Sequence, residues 1–149
     1  MKAVKKFEEF IQSRVVKVQS PDEARAEFLV KDAEKNYNYL KELIEKIGVR
    51  EDNANDFVNR CHDLLMQLVR ANMLLKGYNA SGIGSHEAEV SYMRNLGFSE
   101  VEVQFADQIR YFRNGILYYG SSLDKTYAEK VITFTKKIYP KLLAGLSKE

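Results

Sequence analysis

The sequence predicts an all-α fold, an antiparallel, up-and-down bundle of four to five helices in a single domain over residues 1–149. Apolar residues recur every three or four positions along several long segments, which is the spacing of helices. Capping boxes precede two of these segments, and glycines follow them. Only two prolines and eight glycines interrupt the 149 residues, which leaves room for long helices.

Two long helices are predicted in the first half of the chain. The first opens at a capping box, Ser20–Glu23, with Pro21 at its first helical position, and ends at Gly48. Its apolar positions have helical spacing: Leu29, Ala33, Tyr37, Leu40, Ile44 and Ile47. The second runs from Asn53 to Gly77 and carries a broad apolar face: Phe57, Cys61, Leu64, Leu65, Leu68, Val69 and Leu75.

A short helix and two longer ones are predicted in the second half. The loop GYNASGIGSHEAE leads into a short helix from Ser85 to Gly97, and a second capping box, Ser99–Glu102, opens a long helix. Ser121 or Ser122 separates that helix from the last one, which Pro140 is expected to kink or end. The last helix has apolar residues at helical spacing: Tyr127, Val131, Phe134, Ile138 and Leu142.

In the N-terminal extension, residues 1–19, the sequence predicts a short helix in VKKFEEFI and an extended segment at Val15–Gln19. It has no apolar core or small-residue cleavage site, so we expect no secretory signal. Apolar runs fall short of the roughly 20 residues that span a membrane. We therefore expect a cytoplasmic protein without membrane association.

Composition narrows the function classes. The net charge of +2 gives no global basic field for nucleic acid. Cys61 is the single cysteine, so no intrachain disulfide forms. The two histidines are His62 and His86, and the adjacent Cys61 and His62 point to different sides of a helix. We expect neither a metal nor a cofactor.

The segment ADQIRYFRNGILYYG, Ala106–Gly120, combines a cation, an amide and a glycine with aromatic residues. At 100° per residue, one stripe of its helix faces the core: Val101, Phe105, Ile109, Phe112, Ile116 and Tyr119. The opposite face mixes aromatic and polar residues, with Arg113 at its edge: Asp107, Arg110, Tyr111, Asn114 and Tyr118. Such a face predicts contact with a ligand or partner. Gly115 costs about 1 kcal/mol in a helix, which the close approach of another helix would explain.

The stretch RYFRNGILYYG, preceded by LLKGYNASGIGSHEAEVSYMRNLGFSEVEVQFADQ, resembles the HEPN superfamily (higher eukaryotes and prokaryotes nucleotide-binding domain). The resemblance follows the helix order from roughly Ser20 to Gly145 and is specific mainly across Leu74–Gly120. It implies a small, HEPN-like helical bundle, often homodimeric. In active members an arginine, a polar residue and a histidine four to six residues further on lie at the dimer interface and cleave RNA without a metal. Other members are binding modules or partners of minimal nucleotidyltransferases in toxin–antitoxin pairs.

Arg113 and Asn114 match the arginine and the polar residue of this motif. Tyr118, Tyr119 and Gly120 stand where the family has its histidine. Because tyrosine has a reference pKa of about 10, it is a poor base at neutral pH. We therefore expect a non-catalytic nucleotide- or RNA-binding or protein-interaction module with little ribonuclease activity.

Two sets of residues follow from the resemblance. One set would bind a nucleotide or RNA: Arg113, Asn114, Arg110 and Tyr118. The other would form the interface of a homodimer: Tyr111, Asn114, Gly115 and Tyr118. The expected partners are a second copy of the chain, RNA or a nucleotide, and a nucleotidyltransferase.

Two alternatives stay open. In one, the protein is a metal-independent endoribonuclease, an HEPN toxin in which Arg113 holds the scissile phosphate and His86 or Tyr118 replaces the missing histidine. In the other, it is a purely structural dimer, in which Arg113 bonds an acidic residue such as Asp107 and no nucleotide binds.

Overall fold

The computed structural model describes residues 3–119 and 122–146, and omits the side chains of residues 116–119. Within these ranges the helices are α1 (Phe7–Gln12), α2 (Glu23–Lys46), α3 (Ala54–Leu75), α4 (Ser85–Tyr92), α5 (Glu100–Tyr119) and α6 (Lys125–Leu146). Two short strands, β1 (Val16–Val18) and β2 (Tyr78–Ala80), pair antiparallel. The predicted all-α bundle is confirmed. None of the described helices has the length and apolar character needed to cross a membrane.

Helix α3 is the centre of the bundle. It packs against α2, α6, α5 and α4. On the apolar face predicted for it, Leu75 at the end of the helix is half-buried. The other residues of this face are buried: Phe57, Cys61, Leu64, Leu65, Leu68 and Val69. Close-packed neighbours on several sides hold α3 rigidly, so polar side chains that project from it have fixed positions.

The start of α2 differs from the prediction. Asp22, rather than Ser20, is the N-cap residue, and its carboxylate accepts a hydrogen bond of 3.1 Å from the Arg25 N–H. The Asp22 N–H donates to the Leu74 carbonyl at 3.0 Å, so the residues just before α2 lie against the end of α3. This contact leaves Pro21 outside the helix.

The other predicted caps and stops are confirmed. Gly48 has a φ of 83° and follows the end of α2. A 3₁₀ turn, Met93–Leu96, continues α4, and Gly97 ends it with a φ of 90°. The Ser99 N–H donates to the Glu102 carboxylate at 2.9 Å, and the Glu102 N–H donates to the Ser99 hydroxyl at 3.2 Å. These signals are local in sequence, which is why the sequence predicts them.

The two-stranded antiparallel sheet of β1 and β2 was predicted only in part. The extended segment at Val15–Gln19 contains β1, as predicted, but Tyr78–Ala80 was predicted as loop and forms β2. The pairing depends on Gly77, which has a φ of 82° and lies so close to Gln19 that a Cβ would stand 2.3 Å from its carbonyl oxygen. A side chain at residue 77 would separate the two segments, so glycine is required there.

Of the two effects expected of Pro140, a kink or an end, α6 does not end there, since it continues to Leu146. Ile138 and Leu142 on either side of the proline are fully buried, and α6 packs on α3. Packing on both sides therefore outweighs the hydrogen bond that proline removes. Of the two residues predicted to separate α5 from α6, Ser122 is non-helical and Ser121 lies outside the described residues.

Candidate functional site

A polar cavity of about 340 Å³ lies between α2, α3, α4 and α5. It is lined by Asn36, His62, Asp63, Met66, Gln67, Arg70, His86 and Arg113. Five of these residues come from α3, where they recur every three or four positions and so share one face. The cavity thus contains both histidines of the chain and two of its arginines.

Arg113 reaches this cavity through an ion pair with Asp63 on α3. Its Nη2 donates to Asp63 Oδ2 at 3.3 Å, and its Nε lies 2.9 Å from Asp63 Oδ1. The Nε–H is not aligned with that oxygen and makes no hydrogen bond. His62 Nδ1 lies 3.2 Å from the same Oδ1. We call His62, Asp63 and Arg113 the Asp63 cluster.

Burial sets the protonation of the Asp63 cluster. The His62 side chain is 6% exposed, and burial lowers its pKa despite the neighbouring Asp63, so the ring is neutral at neutral pH. Burial opposes ionisation of Asp63, but the hydrogen bond from His62 and the charge of Arg113 outweigh it and lower its pKa. His62 Nδ1 therefore donates to the carboxylate, and Nε2 keeps a lone pair without a hydrogen-bond partner.

A second cluster, which we call the Glu89 cluster, consists of Arg70, His86 and Glu89. Arg70 donates from Nε and Nη2 to the two oxygens of Glu89, at 2.7 and 3.1 Å. His86 Nδ1 lies 3.5 Å from Glu89 Oε1. Burial opposes ionisation of Glu89, but hydrogen bonds from His86 and Arg70 outweigh it, so its pKa is lowered. This ion pair joins α3 to α4.

Side-chain amides close the cavity on the α2 side. Asn36 Nδ2 donates to Gln67 Oε1 at 3.1 Å, and Gln67 Nε2 donates to Asp32 Oδ2 at 2.6 Å. Gln67 is therefore held between α2 and α3. The amides give the cavity neutral hydrogen-bonding groups beside its charged ones.

The residues predicted to bind a nucleotide separate into different environments. Arg113 and His86, which the ribonuclease alternative placed together, line the same cavity. Arg110 does not line it, since its Nε donates to Asp107 at 2.6 Å. Asn114 is half-buried, and the Tyr118 side chain lies outside the described residues. The ion pair that the structural alternative assigned to Arg113 exists, but with Asp63 rather than Asp107.

The predicted core stripe of α5 is correct only in part. Ile109 is buried, and Phe105 and Phe112 contact aromatic rings of α6. Val101 is 80% exposed, whereas Asp107, predicted on the opposite face, is 4% exposed. The burial of Asp107 follows because α5 packs against α3 and α4, which buries a wider arc than one stripe. Two predicted core side chains lie outside the described part: Ile116 and Tyr119.

The residues predicted for a dimer interface differ in exposure. Tyr111 is 58% exposed, which makes it one of the large exposed apolar side chains. Asn114 and Gly115 are half-buried. The exposed ring of Tyr111 is available to a partner, whereas a contact at Gly115 would need a close approach of two backbones.

The sequence pattern missed most of the α3 contribution. His62 was not among the predicted site residues, and it is buried at the cavity. Asp63, Gln67 and Arg70 were not singled out, although they form a polar stripe at i, i+4 and i+7 of α3. Glu89, a buried carboxylate, was missed as well.

The cavity offers guanidinium, imidazole, carboxylate and amide groups, which can bind an anion and exchange protons. In the described ranges, no group of three or more histidine, cysteine, aspartate or glutamate side chains could hold a metal ion. The Cys61 thiol is buried, which raises its pKa to about 11. In comparisons with known proteins, no family model, no curated protein and no solved structure matches this chain.

Proposed function

We propose that the polar cavity binds the phosphate of a nucleotide or an RNA strand, as the binding site of an HEPN-like helical domain. The observation that supports this best is that Arg113 and both histidines, from three different helices, line one cavity of about 340 Å³. A guanidinium can hold a phosphate through two parallel hydrogen bonds. The neighbouring amides and the neutral ring of His62 would contact the uncharged parts of the ligand.

Asp63 is the group that a phosphate would displace from Arg113. Its side chain is 54% exposed, and one aligned hydrogen bond of 3.3 Å joins it to Arg113. Ion pairs of an exposed carboxylate contribute about 0–1 kcal/mol, so exchanging it for a phosphate costs little when the phosphate also accepts the hydrogen bond of the buried His62 Nδ1. The Arg113 Nε is buried against Asp63 Oδ1 at 2.9 Å without an aligned hydrogen bond, so it would become a donor for the ligand once Asp63 moves away.

Binding can be tested with adenosine 5′-monophosphate by calorimetry and with a labelled single-stranded RNA by fluorescence anisotropy. Arg113→Ala should weaken both by at least about tenfold, the range of a lost charged hydrogen bond. The matched control is Arg60→Ala, which removes the same positive charge from an arginine that pairs with Asp56 at i,i+4 and does not line the cavity. It should leave both affinities unchanged.

Salt and stability complete this test. Binding of the parent should weaken as salt rises, because phosphate contacts release counterions. If the parent binds neither probe and Arg113→Ala greatly lowers the melting temperature, Arg113 is a structural ion-pair residue and the proposal is wrong.

A second candidate, metal-independent ribonuclease activity, is favoured by one observation. His62 lies beside Arg113 across Asp63 and supplies an imidazole that the motif positions of α5 lack. A neutral imidazole could accept the proton of a ribose 2′-hydroxyl as its oxygen attacks phosphorus. The leaving oxygen would take a proton from His86, and Arg113 would stabilise the charged transition state.

The leading proposal predicts no robust RNA cleavage by the purified protein in EDTA. Cleavage that survives EDTA and disappears in His62→Ala, with the fold retained, would make the ribonuclease the better assignment. Loss in His86→Ala alone would favour His86 as the replacement for the motif histidine.

We also propose a homodimer formed through α5, where Tyr111 is exposed and Gly115 permits close approach. Light scattering at micromolar concentration should give twice the monomer mass, and Gly115→Leu should weaken the dimer. A monomer under these conditions would contradict it. A nucleotidyltransferase partner in a toxin–antitoxin pair stays a prediction, which co-purification with a minimal nucleotidyltransferase encoded next to this chain would test.

A further inference from the structure

An apolar groove of about 570 Å³ lies between α2 and α6, at the end of α3. Its floor consists of Ala26, Val30, Leu75, Leu143 and Leu146. Asp32 and Asn36 face α3 near the polar cavity. The residues of α2 that line the groove lie about half a turn away from them around the helix axis. The groove and the polar cavity are therefore on different sides of α2.

The groove is preformed, because its floor rests on buried residues. Ala26, Leu29, Ala71 and Leu74 form an apolar cluster between α2 and α3, separate from the main core. Val30, Leu75 and Leu146 pack against this cluster while remaining partly exposed. A partner could cover them without a rearrangement of the helices.

Among the described residues, which end at Leu146, the charged side chains that line the groove are acidic. Glu23, Glu27 and Glu34 follow one face of α2, and all three are exposed. Lys31 bonds Glu27 at 2.9 Å, but both side chains are 68% exposed, and such a pair is weak in water. The row of glutamates runs from Glu23 to Glu34, eleven steps of the helix or about 16 Å at the helical rise.

We propose that this groove docks a basic amphipathic helix of a protein partner. A length of about 16 Å corresponds to three helical turns, which present apolar residues at i, i+3 or i+4, and i+7 to a groove. Lysines or arginines that flank this apolar stripe would meet the three glutamates. The same acidic rim repels RNA, and it disfavours a second copy of this face because glutamates would oppose glutamates.

The probe is a fluorescent peptide of about 14 residues, made of leucine and lysine with leucines at helical spacing. Two further peptides accompany it, one with the same composition in scrambled order and one with glutamate in place of lysine. The parent should bind the patterned lysine peptide at least tenfold more tightly than either of the others. The double variant Glu27→Lys/Glu34→Lys should lose this preference and gain affinity for the glutamate peptide.

Two single variants separate the groove from the rest of α2. Val30→Arg should abolish binding because it places a cation on the groove floor. Phe28→Arg changes an apolar side chain that is 65% exposed and does not line the groove, so binding should be unchanged. Circular dichroism and thermal unfolding verify that each variant folds.

Several results would overturn the proposal. Equal affinity of the parent for the patterned and scrambled peptides would show that charge alone drives binding. Unchanged binding in Glu27→Lys/Glu34→Lys or Val30→Arg would place the peptide elsewhere. Concentration-dependent dimerisation that Val30→Arg abolishes would assign the groove to a second copy of the chain.

Discussion

The Asp63 cluster and the Glu89 cluster contain the same three chemical groups, with opposite burial. In the Glu89 cluster the carboxylate is 3% exposed and His86 is 58% exposed. In the Asp63 cluster the carboxylate is 54% exposed and His62 is 6% exposed. The two arginines are similar, with 27% of Arg70 and 24% of Arg113 exposed.

The opposite burial gives the two clusters different roles, a structural one for the Glu89 cluster and a ligand-binding one for the Asp63 cluster. A buried carboxylate cannot lose its arginine without leaving a charge in a poorly solvated place, so Glu89 and Arg70 are fixed. An exposed carboxylate regains water when it moves away, so Asp63 can yield Arg113 to another anion. Whether the carboxylate of the cluster is buried or exposed therefore decides whether its arginine can bind a ligand.

The largest expected effect is on stability. Glu89→Gln should lower the free energy of unfolding by about 3 kcal/mol, because it breaks a buried pair and leaves Arg70 without its countercharge. Arg113→Ala should lower it by about 1 kcal/mol or less. Urea unfolding at neutral pH measures both. Losses of equal size would contradict the distinction between the clusters.

The next effect is on nucleotide affinity. Asp63→Asn removes the carboxylate that competes for Arg113, so adenosine 5′-monophosphate should bind several-fold more tightly, as a net gain of about 1 kcal/mol implies. Calorimetry on the parent and the variant measures this gain. Glu89→Gln, the corresponding change in the other cluster, should give no gain. A weaker affinity in Asp63→Asn would mean that Asp63 contacts the ligand instead of competing with it.

The smallest effect is a pH dependence of stability. Burial lowers the pKa of His62, so the unfolded chain binds a proton that the folded protein excludes once pH falls towards 6.5. The contribution of His62 to stability is therefore intact above about pH 7 and decreases as pH falls through about 6.5. Melting temperatures between pH 7.5 and 5.5 should decline, and less so in His62→Gln. The control His86→Gln should show the same decline as the parent. A decline in His62→Gln equal to that of the parent would contradict the assignment of this pH dependence to His62.

The helices were predictable because their signals lie within a few residues of each other. The apolar periodicity of α3, the Ser99–Glu102 capping box and the stop at Gly48 are of this kind. The β2 strand was not, because it exists only through pairing with β1, about sixty positions away. Likewise the Asp22 cap depends on a contact between the start of α2 and the end of α3.

The site was predictable only where a local pattern marked it. The Arg113–Asn114 pair in an aromatic helix drew attention to one wall of the cavity, and His86 was a candidate as one of two histidines. Asp63 and Glu89 were missed because their roles arise when α3, α4 and α5 pack together. A single sequence contains no signal for which of its many carboxylates will face an arginine.

The most direct measurement of nucleotide binding is the side-chain Nε–H resonance of Arg113 in a ¹⁵N–¹H spectrum during titration with adenosine 5′-monophosphate. We expect it to shift and to saturate at the calorimetric dissociation constant, because a phosphate would replace the Asp63 carboxylate that lies 2.9 Å from this nitrogen. The Arg60 resonance, whose Nε already bonds Asp56 at 2.8 Å, should stay in place. An unchanged Arg113 resonance at nucleotide concentrations that saturate the protein, or the absence of any binding, would contradict the proposal that the polar cavity exchanges Asp63 for a phosphate.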